Sequence, residues 1–471
     1  MNRKNESILH YLGVILLIGG FIYIIPELTS LVFNEPMRNY INYLAPQLFL
    51  FLLGSILIYF FREEELYDVK SGMVIAASAW LILPTIMGFT FYIGNYLSLE
   101  DSIFESMSGF TATGLTMFSN LSNQPRSILI FRSIVQWVGG VGVIVLFLSI
   151  LSRSGDSAAM LYSAEGRTDK IMPNIIQTVR RIWGIYILYT FLCIIFLTVS
   201  GVRIFDAINV SMTTLATGGF ATSDDSIASY GMASRIIIML FMMMGAISFV
   251  NHYKLFHGKI RDFFNEEVNL MIIIILIFSL LLTLRHNASD SFFQTISAIT
   301  GTGFSTINIK SWDDYSKFMM VILMIFGGSY GSTSSAIKML RLLIILSAVI
   351  WVVRRSILPK GSVITPKVLS HKVETSTFVR TLSYFAVYLI SLIVGALLFM
   401  SHGYSSADSL FEVASAEGNV GLSVGITTPL LPLWLKIVLI VEMWIGRLEI
   451  FPVVILLYYI IERGQDLVER Q

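Results

Sequence analysis

Four short phrases in this chain carry the residue types needed to replace the water around a small cation. Aligned on Gly114, Gly219, Gly303 and Gly421, they read Thr111-Ala112-Thr113-Gly114, Ala216-Thr217-Gly218-Gly219, Thr300-Gly301-Thr302-Gly303 and Gly418-Asn419-Val420-Gly421. A hydroxyl residue stands six positions before each glycine (Ser108, Thr213, Ser297, Ser415), and Leu or Phe follows it. A dehydrated cation needs new oxygen ligands, and rings of backbone carbonyls supply them. Aiming successive carbonyls inward requires backbone conformations open to glycine and closed to most other residues. Threonine beside the glycine adds a hydroxyl and a stiff branched Cβ. Four copies of one loop predict four walls of one pore, with these sixteen residues as its cation-selectivity filter. The phrases differ, since Asn419 and Val420 replace threonines and Gly218 stands where two other phrases have Thr113 and Thr302. That asymmetry predicts looser selectivity than a ring of four identical strands.

An aspartate lies thirteen positions before each glycine: Asp101, Asp206, Asp290 and Asp408. Aspartate is a favoured helix N-cap, so each is expected to cap a short pore helix whose negative C-terminal end points at the pore axis. Capping alone, without any influence on the ion, is the alternative reading. Glu105 and Glu412, four residues further on, are expected to make a mildly cation-attracting mouth.

A second set of residues could act as a gate. Gly327, Gly328, Ser329, Gly331, Ser332, Thr333 and Lys338 place a polar, glycine-rich stretch inside an otherwise apolar run. Irregular backbone at membrane depth survives only where protein or a watery cavity satisfies it, so this stretch is expected to break its helix beneath the pore. Arg447 lies inside the last apolar run, where an ionisable group is costly and by default functional. Two readings stay open for it: a latch on the carbonyls of the broken stretch, or a buried ion pair with Glu442 or Glu449. Glycines near Gly139-Gly140, Gly245 and Gly446 fall about 25 positions after the filter glycines, where small residues permit close helix packing or line a pore.

The elements that must position these residues are membrane helices. The chain of 471 residues is 55% hydrophobic and only 13% charged, against about 25% charged in soluble domains, and its mean hydropathy is +0.75. Apolar runs near the roughly 20 residues that cross hydrocarbon cover about 11–33, 46–61, 71–93, 128–151, 182–202, 236–256, 268–284, 318–353, 379–400 and 433–461. These are ten expected spans, the first retained because it lacks a small-residue cleavage site. Arg153, Arg167, Lys170, Arg180, Arg181, Lys254, Lys259, Arg261, Arg354, Arg355, Lys360, Lys367 and Lys372 all fall in one set of loops. The positive-inside bias makes those loops and both termini cytoplasmic, with the filters facing outward. The fold class expected is an all-α polytopic membrane protein: an N-terminal transmembrane hairpin (1–70) and four helix/pore-loop/helix repeats (71–170, 171–264, 265–365 and 366–471), the third carrying the gating loop.

Cys193 is alone, and a small buried hydrophobe is its reading. The six histidines show no metal-ligand spacing, and a net charge of +1 without a basic run argues against nucleic acid as a partner.

At these residues the chain resembles the TrkH/TrkG/KtrB family of bacterial and archaeal potassium transporters, over essentially its whole length. Beside the filters, Trp137-Val-Gly-Gly-Val-Gly142, Gly331-Ser-Thr-Ser-Ser-Ala-Ile-Lys338, Gly446-Arg-Leu-Glu-Ile-Phe451 and Leu161-Tyr-Ser-Ala-Glu-Gly-Arg167 with Ile185-Tyr186 are similar to family motifs. The N-terminal hairpin looks TrkH-like, the fourth filter looks closer to KtrB, and Ser334 and Ser335 stand where the family pattern usually has glycines. The resemblance implies four pseudo-symmetric units around one ion path, a homodimer in membrane lipid, and a cytoplasmic nucleotide-binding regulatory subunit of the TrkA/KtrA type. It further implies that residues 327–338 form an intramembrane gating loop contacted by Arg447.

The function expected is therefore K+ uptake across the cytoplasmic (inner) membrane through a gated, potential-driven, channel-like pore, with no covalently bound cofactor. A sodium- or proton-coupled potassium symporter of the same fold is the alternative; Glu417 is the one titratable candidate near the filters. An enzyme is not expected, because no nucleophile, base or metal ligands converge near one interface.

Overall fold

The computed structural model describes residues 3–61, 68–142, 145–146, 148, 156–164, 171–172, 174–359, 367–368 and 371–468. Arg153, Arg167, Lys170 and Lys360 of the basic series lie outside the described residues, as do the end of the 161–167 motif, the last residues expected for the fourth span and the repeat boundaries at 170 and 365–366.

Helices dominate the described residues: α1 (Arg3–Phe21), α2 (Ile24–Val32), α3 (Met37–Phe60), α4 (Val69–Ile93), α5 (Leu99–Phe110), α6 (Arg126–Val141), α7 (Asp156–Ala164), α8 (Ile175–Val199), α9 (Ile204–Leu215) and α10 (Met232–Ala246). They continue with α11 (Phe249–Phe256), α12 (Ile260–Phe263), α13 (Glu266–Thr283), α14 (Ala288–Ile299), α15 (Asp314–Ile325), α16 (Met339–Ile357), α17 (Thr375–Ser401), α18 (Ser406–Glu417), α19 (Leu433–Arg447) and α20 (Phe451–Val468). A two-stranded antiparallel ribbon pairs Lys367–Val368 with His371–Lys372.

Among the described residues, six helical stretches are long and apolar enough to cross a bilayer, and α10 with α11 forms a seventh that bends by 105°. The other three of the ten expected spans are interrupted helices. The run at 128–151 ends its first helix at Gly142 (φ +104), the overlong run at 318–353 divides into α15 and α16, and the overlong run at 433–461 divides into α19 and α20. The last break passes through Glu449 and Ile450, both left-handed at φ +58° and +69°. Interruption is thus not peculiar to the polar stretch at 327–338, because the second helix of every unit breaks at a corresponding depth.

Between the long spans lie four helices of 12 residues each: α5, α9, α14 and α18. At 1.5 Å per residue each is about 18 Å long, little more than half of a hydrocarbon core about 30 Å thick. Each packs on the span before it, α4, α8, α13 and α17 respectively. Each also packs on the second helix of the preceding unit: α9 on α6, α14 on α10, α18 on α15, and α5 on α19. That order closes a ring. The α1–α3 hairpin packs outside it against α4, and α20 returns to α4. Large apolar side chains such as Leu48, Phe191, Leu280 and Leu397 remain more than half exposed on the outer surface, where a bilayer is the solvent that accepts them.

The four aspartates are not the N-caps of the pore helices. Ser98, Arg203, Asn287 and Ser405 hold those positions, and Asp101, Asp206, Asp290 and Asp408 stand three residues inside them. In the first and fourth helices the serine accepts from the aspartate's own N–H (3.3 and 3.2 Å), one half of a capping box. The carboxylates then reach across the ring. Asp101 pairs with Lys436 of α19 at 2.5 Å, Asp408 with Lys317 of α15 at 2.8 Å, and Asp290 lies 3.7 Å from Arg235 of α10. Asp206 instead accepts from Thr222 Oγ1 at 2.7 Å. An early acid near a helix N-terminus satisfies the dipole, and for Asp101, Asp290 and Asp408 the same carboxylate also ties one unit to the next.

Candidate functional site

Each 12-residue helix runs into its filter phrase through one backbone pattern. Thr111, Ala216, Thr300 and Gly418 end the helices in the right-handed region. The next residue in each, Ala112, Thr217, Gly301 or Asn419, is left-handed (φ +51° to +72°). The N–H one further on turns back to the carbonyl of the hydroxyl residue: Thr113 to Ser108, Gly218 to Thr213 and Thr302 to Ser297 at 2.9 Å, Val420 to Ser415 at 2.8 Å. This is a helix C-terminal closure, and it leaves the chain extended toward the filter glycine. In the first and fourth phrases the serine hydroxyl also accepts the filter glycine's N–H (3.1 and 3.0 Å). Ser297 Oγ instead donates to the Phe304 carbonyl (2.7 Å), whereas Thr213 Oγ1 donates back to the Asn209 and Val210 carbonyls of its own helix, so the hydroxyl shapes the loop directly in three of the four phrases.

The filter glycines are all left-handed, at φ +100°, +73°, +81° and +90° in chain order. Their surroundings make the ring explicit. A Cβ on Gly114 would lie 2.2 Å from the Gly218 carbonyl oxygen, on Gly219 2.0 Å from that of Thr302, on Gly303 1.8 Å from that of Val420, and on Gly421 2.2 Å from that of Thr113. Each loop thus presses its glycine against the carbonyl before the next loop's glycine, and the fourth closes on the first. Glycine is required twice over, by backbone angle and by the absence of room for any side chain.

Hydroxyls beside the glycines serve the wall. Thr111 and Thr113 bond to each other at 2.7 Å, Thr300 and Thr302 at 2.8 Å, and Thr217 donates to its neighbour Ala216 (2.7 Å) and to Thr333 (3.3 Å). Asn419, the departure in the fourth phrase, donates to Thr113 Oγ1 and to the Met443 carbonyl, each at 2.9 Å. It links the fourth filter to the first, which a threonine there could not span.

Glu105 and Glu412 do not form the mouth. Both are fully buried. Glu105 accepts from Met117 N–H (2.7 Å) and Thr116 and pairs with Arg132 at 2.8 Å. Glu412 accepts from Val424 N–H (3.1 Å), Thr427 N–H (3.0 Å) and Ser423 (2.7 Å). They clamp the strand that leaves the filter, and Gln294 does the same in the third unit through Ser305. The vestibule above the filter, about 510 Å³, carries Asp224 and Asp225 among its lining together with all four filter glycines. Sequence reasoning missed these two acids because they have no counterpart in the other repeats. It also missed Gln136, which donates to the Gly218 carbonyl (2.6 Å) and accepts the Phe220 N–H (3.0 Å), bracketing Gly219 from behind.

Close packing is the role of the recurring glycines in the second helices. A Cβ on Gly139 would lie 1.9 Å from the Phe110 carbonyl oxygen, on Gly446 1.8 Å from that of Glu417, and on Gly245 2.9 Å from that of Leu215. Each glycine lets its helix seat against the end of a pore helix, so the filters rest on these spans.

Directly below, residues 327–338 fold as an irregular loop. Ser329 N–H donates to the Ala246 carbonyl (2.8 Å), Thr333 N–H to Gly245 (3.2 Å), and Thr333 Oγ1 to Leu215 and Gly245 (both 2.9 Å). Gly328 N–H donates to Ser334 Oγ at 2.9 Å, and Lys338 Nζ to the Ser334 carbonyl. Gly327 and Gly328 are pressed against the carbonyls of Ser335 and Ala246, while Gly331 (φ +77°) makes the turn and Ser332 donates to Ser329 (2.7 Å). Arg447 holds the loop from the opposite side. It donates to the carbonyls of Thr333 (3.0 Å), Gly139 (2.5 Å) and Gly140 (2.7 Å) and to Ser335 Oγ (3.2 Å). Of the two glutamates considered as its partners, Glu449 pairs with Arg341 and Glu442 accepts from Ser391 at 2.8 Å. A small chamber of about 40 Å³ is lined by Trp80, Ser334, Lys338 and Arg447 among others.

A family model described as TrkH, cation transport protein, matches residues 42–283 and 282–467. The chain is 38% identical over 459 residues to an uncharacterized cation transporter of Methanocaldococcus jannaschii, covering 96% of this chain and 95% of that one. It is 28% identical to the Trk system potassium uptake protein TrkH of Escherichia coli K12, covering 96% and 98%. The crystal structure of the potassium transporter TrkH from Vibrio parahaemolyticus superposes with a TM-score of 0.85 at 26% identity, covering 97% of this chain and 99% of that one.

Proposed function

This chain belongs to the TrkH family of cation transport proteins, and we propose that it takes up potassium through the ring of four loops, driven by the membrane potential. The observation that carries this is the closure of the ring: each filter glycine abuts the carbonyl of the next loop, so four extended strands present their backbone around one axis. The pore helices, about 18 Å long, end at that axis, where their dipoles favour a cation that has left water. Entry from the vestibule beside Asp224 and Asp225 is favoured for the same charge.

No energy source beyond the potential is required for accumulation. A charge crossing 100 mV gains about 2.3 kcal/mol, enough to concentrate K+ on the order of 50-fold. Residues 327–338 act as the gate in this reading. They obstruct the path below the filter, and Arg447 holds them there by binding the loop and the broken end of α6 together. Opening requires that bridge to release. We assign the release to a cytoplasmic nucleotide-binding subunit acting on a homodimer, with the termini and basic loops on the cytoplasmic side of the inner membrane. The proteins of Escherichia coli that the chain resembles are named as parts of a Trk system, which supports a partner of this kind.

Purified protein in liposomes with an inside-negative potential tests the proposal. Saturable, K+-preferring flux that follows voltage and ignores imposed proton and sodium gradients is expected. Flux that requires a proton or sodium gradient would replace the pore with a symporter.

A further inference from the structure

The second filter strand lacks two supports that other units supply for themselves. Nine positions before the filter glycines stand Glu105, Val210, Gln294 and Glu412. Three of these clamp the strand that leaves their own filter, whereas Val210 is buried and apolar and has no group with which to do so. The hydroxyl pairs that brace the first and third phrases, Thr111 with Thr113 and Thr300 with Thr302, are matched in the second by Ala216 and Gly218, which carry no hydroxyl. Asp206 holds Thr222 Oγ1, three residues beyond Gly219, and Thr217 turns its hydroxyl to Ala216 and to Thr333 of the loop below. Both contacts miss the Gly218 carbonyl and the Phe220 N–H, the backbone groups that flank Gly219.

Helix α6 of the preceding unit reaches those groups instead. Arg132 and Gln136 lie one helical turn apart, hence on one face, and both are buried. Gln136 Nε2 donates to the Gly218 carbonyl at 2.6 Å, and its Oε1 accepts the Phe220 N–H at 3.0 Å. Arg132 spans two strands. Its Nη2 donates to Thr116 Oγ1 of the first strand and its Nη1 to the Ala221 carbonyl of the second, each at 3.1 Å, while Nε is held by Glu105 at 2.8 Å. The guanidinium also lies over the Phe220 ring at 4.0 Å. This arrangement accounts for the missing side chain at 218. A Cβ there would lie 2.6 Å from Cδ and Oε1 of Gln136, and the three nearest atoms all belong to that side chain. Gly218 is not left-handed, so space for Gln136, and not backbone angle, selects glycine at this position.

We propose that Arg132 and Gln136 are the positioning residues of the second filter strand, and that through it they set the preference for K+ over Na+. The inference rests on the ring of four loops being the ion path. The Gly218 carbonyl is one of the four that meet a neighbouring filter glycine, and a backbone carbonyl has two lone pairs. Gln136 engages one from behind and so fixes the direction of the other. A carbonyl held in this way cannot follow a smaller ion inward, so Na+ recovers less of its lost hydration than K+ does. Arg132 fixes the same strand one step further out and ties it to the first, which keeps the spacing of the two walls constant.

K+ and Na+ flux into proteoliposomes at an inside-negative potential is measured for wild type, Gln136→Leu and Arg132→Lys. Leucine keeps much of the volume of Gln136 and removes both bonds; lysine keeps the charge beside Glu105 and loses the fork. A fall in K+ over Na+ preference of at least about fivefold is expected in each, the factor equivalent to one hydrogen bond. A lowered unfolding temperature with the preference kept to within about twofold means that the two residues only brace the fold, and overturns the proposal. Where either variant fails to fold, Gly218→Ser and its combination with Gln136→Ala decide. Gly218→Ser alone is expected to lose the preference, and the combination, which removes the three atoms nearest a Cβ at 218, to regain part of it. A combination no better than Gly218→Ser alone overturns the assignment. The rise in unfolding temperature with added KCl against NaCl reads ion binding without any flux. A K+-specific rise in wild type that shrinks toward the Na+ value in Gln136→Leu is expected, and an undiminished rise overturns the proposal. If wild type shows that rise but no flux, the pore fails and the rise alone decides the two residues. If it shows neither, both readings fall.

Discussion

Adding one methyl group at Gly303 is the sharpest perturbation the filter allows. In Gly303→Ala the new carbon would lie 1.8 Å from the Val420 carbonyl oxygen, and ordinary contact begins near 3.4 Å, so the two strands must separate by about 1.6 Å. The position is also left-handed at φ +81°, which costs an L-residue about 1–2 kcal/mol. Overpacking adds about 1–3 kcal/mol, so the strain is on the order of 2–5 kcal/mol. It is delivered to the carbonyl of the neighbouring filter strand. A tenfold change in ion preference needs only about 1.4 kcal/mol. The expected result is at least a tenfold loss of K+ over Na+ preference, or loss of flux, in liposomes at imposed potential, with the protein still expressed and membrane-inserted. Gly184→Ala is the control, because no atom lies within 4 Å of its Cβ position and alanine is favoured over glycine within a helix by about 0.5–1 kcal/mol. If Gly303→Ala keeps the wild-type ion preference to within about twofold, the carbonyl ring is not the filter and the reasoning fails.

Other outcomes follow from the same geometry. Arg447→Ala removes the bridge between the loop and α6 and is expected to raise K+ flux without any partner protein; unchanged or lost flux would make the arginine a structural brace. Thr333→Val deletes one donor shared by the Leu215 and Gly245 carbonyls, worth about 1 kcal/mol, so flux in vesicles should rise by less than about tenfold, and a fall would count against a loop-occluded path. Glu105→Gln breaks a buried pair that clamps the first filter strand, with an expected loss of about 3–5 kcal/mol seen as a lower unfolding temperature. Arg132→Met added to it should recover part of that loss, and strict additivity of the two changes would show that they do not act as a pair.

What could be read from the chain, and what could not, divides along a physical line. Periodicity and residue type are local, and they carried the membrane class, the four phrases and the hydroxyl six before each glycine, because a helix C-terminal closure is written within one stretch of seven residues. The polar stretch at 327–338 was legible for the same reason, since backbone polarity within an apolar run has to be satisfied wherever it falls. By contrast, Asp101 and Asp408 were read as caps because only their own helix is visible in sequence; their partners, Lys436 and Lys317, come from other units. Glu105 and Glu412 were placed at a mouth because acids after a pore helix's start suit one, whereas the fold turns them inward onto N–H groups that the extended strands would otherwise leave unpaired.

The sequence by itself determined that four glycine loops exist, since backbone conformation is a property of the residue and its neighbours. Only the tertiary structure decided that Gly303 meets Val420, that Asn419 reaches Thr113, and that Arg447 grips Gly139 across about 300 residues of chain. Such contacts depend on how units pack around an axis, and packing is decided by shape complementarity among all of them at once.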